Sequence, residues 1–219
     1  MKQFIIIGMG RFGESIATSL YDMGHDVLAV DVDEEKIQYI SSKVTHAVQA
    51  DATDEQTLDA LGISNFDVAV VTIGGSVQAS MLITMLCKEH GIKYVLAKAQ
   101  NKLHAKVLYK IGADKVVFPE RDMGLRIARS LVSSNFLDYI ELTPDYSIVE
   151  LKAANNWENK SLQQLDIRAK YGINIMAIKQ QNDKVSVSPA GEDKIQKDDV
   201  LVVIGKSEDI KRLQEKSYA

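Results

Sequence analysis

Phe4-Ile5-Ile6-Ile7-Gly8-Met9-Gly10-Arg11-Phe12-Gly13 is the stretch against which the rest of the chain is read. Four apolar residues running into a glycine turn suit a strand buried on both faces, as in a parallel sheet covered by helices on each side. Gly8 supplies the tight turn. Gly10, lacking a Cβ, lets a phosphate approach the backbone, and Gly13 lets the following helix pack close to the strand. The unpaired N–H groups and positive dipole end of that helix form an anion site.

Ile16, Ala17, Leu20 and Met23 keep helical spacing, and Gly24 stops the helix. Val27 to Val30 form a second strand that ends at Asp31. An acid about 20 residues beyond the glycines accepts hydrogen bonds from ribose hydroxyls. A lone G-x-G-x-x-G is weak, but strand, glycine turn, helix, strand and acid in this order point to a bound nucleotide.

The pattern then repeats. Asp33-Glu34-Glu35 opens a second helix, and a strand near Ala47-Val48-Gln49 ends at Asp51-Ala52, before Thr53-Asp54-Glu55-Gln56, a T-x-x-Q capping box. Asp51 has two readings at this point, a polar residue opening a turn or a contact to adenosine. Asp67 to Ile73 form a strand that breaks at Gly74-Gly75, and a helix follows from about Val77 to His90. Tyr94 to Ala97 lead to Lys98-Ala99-Gln100, a helix stops at Gly112, and Val116 to Phe118 precede Pro119-Glu120.

Six strand–helix alternations with right-handed crossovers predict a Rossmann-like, doubly wound parallel sheet of order 3-2-1-4-5-6. The carboxyl ends of its first five strands then collect Gly8 to Gly13, Asp31, Asp51, Gly74-Gly75 and Lys98 to Gln100 in one crevice. From Glu120 to Val132, Met123, Ile127 and Leu131 mark a helical stripe that Leu125, Ala128 and Val132 broaden. A helix apolar round so much of its girth needs burial on both sides, which a partner subunit would provide.

After Asn135 the apolar residues alternate with polar ones, as in half-exposed strands: Tyr139 to Leu142 and Ser147 to Leu151. Ser161-Leu162-Gln163-Gln164 is a capping box, Ile173 to Ile178 form a strand, and Asn182-Asp183 turns toward Val185 to Val187. Val200 to Ile204 form a buried strand, and Ser207 caps a last helix. The expected organisation is residues 1–134 as the nucleotide-binding domain with its crossover helix, and 135–219 as a second, smaller α+β domain.

Composition narrows the function. The formal charge is −4, from 26 basic and 30 acidic residues, and no basic stripe argues for a nucleic-acid partner. Cys87 stands alone among apolar neighbours, so it reads as a packed thiol and not as a nucleophile or zinc ligand. The chain enters its first strand at once, with no signal-peptide pattern and no apolar run of ~18 residues, so a cytoplasmic protein is expected.

Catalytic furniture is missing. His25, His46, His90 and His104 all precede the second domain, which therefore holds no histidine to serve hydride transfer. His25 and His90 lie at element ends and read as surface residues, while His104 starts a helix beside the crevice. Nucleotide binding without such groups suggests a sensor whose ligand selects between conformations. Arg11, inside the glycine turn, is either a solvated charge or a bidentate partner for phosphate oxygens, best used by the third phosphate of ATP.

Seven stretches together carry a resemblance: GMGRFG (8–13), DVDEEK (31–36), DATDE (51–55), VTIGG (71–75), AKAQN (97–101), GADKVVFPERDMG (112–124) and IRAKYGINIMAIK (167–179). The chain resembles, nearly end to end, the regulatory subunits of bacterial Ktr potassium uptake systems. These are related to TrkA and to RCK domains, which regulate potassium conductance. The resemblance implies a homo-oligomer, dimers assembling into an octameric ring, on the cytoplasmic face of a potassium-translocating subunit of KtrB or KtrD type. ATP would favour the active ring and ADP an inactive shape.

By the same resemblance Gly8 to Gly13 cradle phosphates and Arg11 reaches the γ-phosphate. Asp31, Val32 and Asp33 hold the ribose. Asp51, Ala52, Ile73, Gly74, Gly75, Lys98, Ala99, Gln100 and His104 complete the pocket. Glu120 corresponds to a family acid that places a divalent cation (Mg or Ca) or Na between subunits; from the residues alone it is an acid in the first turn of a helix. Arg168, Ala169, Asn174, Ile175 and Pro189 match positions that bind cyclic di-AMP, and read plainly they are a helix end and a strand start. Two rivals stay open: an NAD(H)-binding redox sensor on the same fold, and an NAD-dependent oxidoreductase.

Overall fold

A computed structural model describes residues 1–132, 136–143, 145–182 and 184–217. They divide into two compact units, Met1–Asp122 and Met123–Ala219. The expected border at 134/135, and Asp183 of the expected turn, lie outside the described residues.

The first unit alternates strand and helix: β1 (Gln3–Ile7), α1 (Arg11–Asp22), β2 (Asp26–Asp31), α2 (Glu34–Ile40), β3 (His46–Gln49), α3 (Glu55–Ala60), β4 (Val68–Val71), α4 (Val77–Glu89), β5 (Tyr94–Lys98), α5 (Lys102–Lys110) and β6 (Lys115–Val117). The strands pair in parallel in the order β3-β2-β1-β4-β5-β6, as the sequence predicts.

Continuous apolar strands are explained by burial on both faces. Ile5, Ile7, Val30 and Val71 enter one core with Leu58, Ile83 and Leu108. Ile6, Val27, Ala29 and Val70 enter the other with Ala17, Ile37 and Ile40. Each such fully buried isoleucine contributes about 1.5–3 kcal/mol relative to exposure, so a polar residue on either face of these strands is costly.

The helix ends follow capping chemistry, with one correction. Asp33 caps α2 by accepting from Glu35 N–H, Ser76 caps α4 through Ala79 N–H, and Asn101 caps α5 through His104 N–H. The T-x-x-Q capping box expected at Thr53 does not form. Asp54 caps α3 instead, accepting from Gln56 N–H, because the Thr53 hydroxyl is already donated to Asp51.

The helix α6 (Pro119–Val132) leaves Met123, Leu125, Ile127 and Leu131 half or more exposed, Leu131 to 79%. The second unit contains β7 (Phe136–Thr143), β8 (Tyr146–Lys152), α7 (Leu162–Leu165), α8 (Ile167–Tyr171), β9 (Asn174–Lys179), β10 (Val185–Val187), β11 (Val200–Lys206) and α9 (Ser207–Ser217). Its strands form an antiparallel sheet of order β10-β9-β11-β8-β7. Val149, Leu151, Leu201 and Val203 alternate onto its inner face against Trp157, Ile167 and Leu213. The Ser161–Gln164 capping box is formed in both directions. No helix among the described residues is long and apolar enough to cross a membrane.

Candidate functional site

The parallel sheet brings five strand ends to one rim, and hydrogen bonds link neighbours along it. Gly8 turns at φ +102°, a conformation that side chains resist, and its N–H donates to Val30 O at 2.7 Å. A Cβ on Gly13 would stand 2.0 Å from Gly8 O, so α1 reaches the strand only through glycine. Around Gly10, by contrast, nothing lies within 4 Å of the Cβ position, leaving the turn open to a ligand.

The first bond of α1 runs from Glu14 N–H to Gly10 O. The N–H groups of Arg11, Phe12 and Gly13 therefore precede the helical ladder and are available to an anion. Arg11 is exposed at this end.

Asp31 is only 8% exposed. Its Oδ2 accepts from Met9 N–H at 2.6 Å and its Oδ1 from Asp33 N–H at 2.9 Å. The acid thus fixes the glycine turn from the neighbouring strand. Thr72 fixes the same turn from the other side, its hydroxyl donating to Gly8 O at 2.5 Å. Sequence reading missed Thr72, although a hydroxyl closing the apolar run of β4 was the available signal.

Further along the rim, Gln100 Nε2 donates to Gly74 O at 2.6 Å, tying the loop after β4 to the end of β5. The Cβ positions of Gly74 and Gly75 meet open space. Lys98 pairs with Glu120, and that hydrogen bond holds the Glu120 carboxyl below the usual range. Val32 is exposed, and Ile73 packs partly into the core.

His104 is 3% exposed, and burial pushes its imidazole below the ordinary histidine value. Its Nδ1 accepts from Gln100 N–H at 3.3 Å, which leaves the proton of the neutral ring on Nε2. That Nε2 has no partner among the described residues. A buried donor without an acceptor is costly, and an acceptor atom on a ligand relieves it.

Some predicted positions contribute otherwise than expected. Asp51 is committed to its own turn, accepting from the Thr53 hydroxyl at 2.7 Å and from Thr53 N–H at 2.9 Å, and these bonds lower its carboxyl. The side chains of Ala52 and Ala99 are in the core, so only their backbone is available to a ligand. His90, read as a surface residue, bonds Leu86 O at 2.8 Å and Asp59 at 2.9 Å. His25 Nδ1 is buried without a partner among the described residues, its ring beside Phe4.

The ion expected at Glu120 is not fitted by one chain. A hard cation needs several oxygens, Glu120 is 72% exposed and engaged by an ammonium, and no group of three or more candidate ligands occurs among the described residues.

In the second unit, Arg168, Asn174 and Ile175 line a hollow of about 170 Å³ with Leu162, Asp166, Ile167 and Ile173. Asp166 joins α7 to α8 at φ +46°, bending the chain around that hollow. Ala169 and Pro189 fall outside its lining.

Comparison with known proteins agrees with both units. A TrkA-N domain model matches residues 4–119 and a TrkA-C domain model residues 146–217. Ktr system potassium uptake protein A of Bacillus subtilis is 52% identical over 97% of this chain and 96% of its own length. Ktr system potassium uptake protein C of the same organism is 48% identical over 98% and 97%. The solved GsuK channel covers 99% of this chain and 39% of its own at a TM-score of 0.72 and 16% identity, a likeness of fold. With both domain models in sequence and this identity over nearly the full length, the chain belongs to the TrkA-N/TrkA-C family, in its Ktr potassium-uptake branch.

Proposed function

We propose that the chain is a nucleotide-gated regulatory subunit of a potassium uptake system, which transduces ligand binding and performs no catalysis. The observation that carries this reading is the open helix N-terminus at Gly10, flanked by Arg11 and pinned by Asp31 and Thr72. ATP and ADP are the proposed ligands. Phosphates occupy the N–H groups of the first turn of α1, ribose lies toward Asp31 to Asp33, and the His104 Nε2 proton meets a ligand acceptor. ATP favours the active assembly and ADP the inactive one, so the signal is their differential affinity for two conformations.

Assembly follows from α6, whose half-open apolar side chains need cover from a second copy. An octameric ring of dimers on the cytoplasmic face of a KtrB- or KtrD-type membrane subunit is the proposed setting. NAD(H) is the second reading, favoured by the fold likeness to a GsuK channel bound to NAD at a TM-score of 0.65; the same fold also occurs in GsuK bound to ADP at 0.53.

Calorimetric titration of the nucleotide-stripped protein with ATP, ADP, NADH and NAD, with and without magnesium or calcium, tests this. Tight adenine nucleotides and weak NADH are expected. Preference for NADH would install the redox-sensing reading, and hydride transfer to a substrate would overturn the non-enzymatic one.

Cyclic di-AMP is proposed for the second unit. The hollow beside Arg168 and Asn174 is smaller than the ~300–1,000 Å³ of typical ligand sites, so two copies have to build the pocket together. Removing the exposed amide by Asn174→Ala is expected to weaken cyclic di-AMP by about 5- to 10-fold and to leave ATP affinity unchanged. Unchanged affinity for the cyclic dinucleotide would remove this assignment.

A further inference from the structure

The first turn of α2 holds a cation where the helix itself favours acids. Helix N-termini carry partial positive charge, and α2 opens with Asp33 as its cap followed by Glu34 and Glu35. Lys36 departs from that rule. Its Nζ lies 3.5 Å from Asp31 Oδ1 and 3.4 Å from Asp33 Oδ2, bridging the two carboxylates at the end of β2.

The two contacts differ in weight. Asp33 is 42% exposed, and an ion pair between exposed partners contributes little. Asp31 is buried and clamps Met9 N–H, so its charge stands directly behind the glycine turn. Lys36 also lines a hollow of about 190 Å³ with Met9, Glu14, Glu35, Tyr39 and Ile40. Without the ammonium, this flank of the turn holds four carboxylates, Glu14, Asp31, Asp33 and Glu35, beside the place where an anionic ligand binds.

We infer that Lys36 determines how much negative charge the nucleotide site accepts. It offsets the Asp31–Asp33 pair, so that Asp31 holds the turn and faces the ribose while a polyphosphate still enters. Lys36 acts on the ligand through charge and through Asp31, as a positioning residue. This rests on the nucleotide reading above and adds to it the residue that sets charge preference.

The signature of such a role is a penalty graded by ligand charge. Lys36→Met is titrated with ATP, ADP and adenosine at low and high ionic strength, after circular dichroism of the nucleotide-free protein shows the fold retained. Lys36→Gln takes its place if the methionine variant does not fold. The expected losses are about 10-fold for ATP and about 3-fold for ADP, with adenosine unchanged and both losses shrinking in high salt. Lys36→Arg restores wild-type affinities. Equal losses for all three ligands, adenosine included, would make Lys36 a structural residue and overturn the inference, as would no loss at all. Failure of the wild-type protein to bind any nucleotide would sink the functional reading itself, a result distinct from either.

Discussion

Replacing Gly13 with alanine is expected to destabilise the first unit by about 3 kcal/mol, lowering its thermal midpoint by about 10 °C, and to abolish nucleotide binding. The added Cβ would stand 2.0 Å from Gly8 O and 2.6 Å from Thr72 Oγ1. Neither neighbour has room to yield. Gly8 O belongs to a residue whose N–H donates to Val30 O, and the Thr72 hydroxyl is bound to Gly8 O and Ile7 O. The whole of α1 must back away from β1, taking its N-terminal N–H groups with it. Gly10→Ala provides the contrast, since nothing lies within 4 Å of that Cβ: the fold survives and only ligand approach is lost. Thermal unfolding followed by circular dichroism, with calorimetry on each variant, checks the pair. A wild-type midpoint for Gly13→Ala would mean that the close approach of α1 to β1 is wrong.

The second large effect is expected at Arg11. Arg11→Ala should reduce ATP affinity by about 10- to 100-fold, the value of a charge-assisted bidentate contact, and ADP affinity by much less. The exposed guanidinium sits one residue beyond the open glycine, while in the proposed site the N–H groups of the α1 first turn would serve the phosphates that both nucleotides share. A third phosphate is therefore where an added cation tells. Titration of the variant with both ligands decides it. Equal loss for ATP and ADP would assign Arg11 to general attraction and remove its role in discrimination.

The sheet was legible because its two kinds of information agree. Apolar runs such as Ile5-Ile6-Ile7 and Ala69-Val70-Val71 are buried on both faces, and glycines at Gly8, Gly24 and Gly112 adopt the positive φ that punctuates them. Errors arose where the deciding partner lies elsewhere in the chain or where two residues compete. At Thr53-Asp54 both residues are good caps, and Asp51, two residues upstream, took the threonine. His90 looked like a surface residue because Asp59, on α3, cannot be inferred from the neighbourhood of α4. Thr72 and Lys36 were overlooked for a related reason. Each is locally out of character, a hydroxyl closing an apolar strand and a cation in a helix first turn; Thr72 is engaged with the glycine turn and Lys36 with Asp31, the acid that clamps it. Ala52 and Ala99 follow β3 and β5 along the chain, but burial withdraws their side chains from any ligand.

Cys87 is the only thiol in the chain. It is fully buried in α4, and burial pushes it up to about 12. A neutral, enclosed sulfur does not react with alkylating reagents from the closed state. The protein therefore carries its own clock for breathing motions. The rate at which Cys87 is alkylated reports how often the core around α4 opens, and the slowing of that rate by an added nucleotide would convert directly into the protection that occupancy confers.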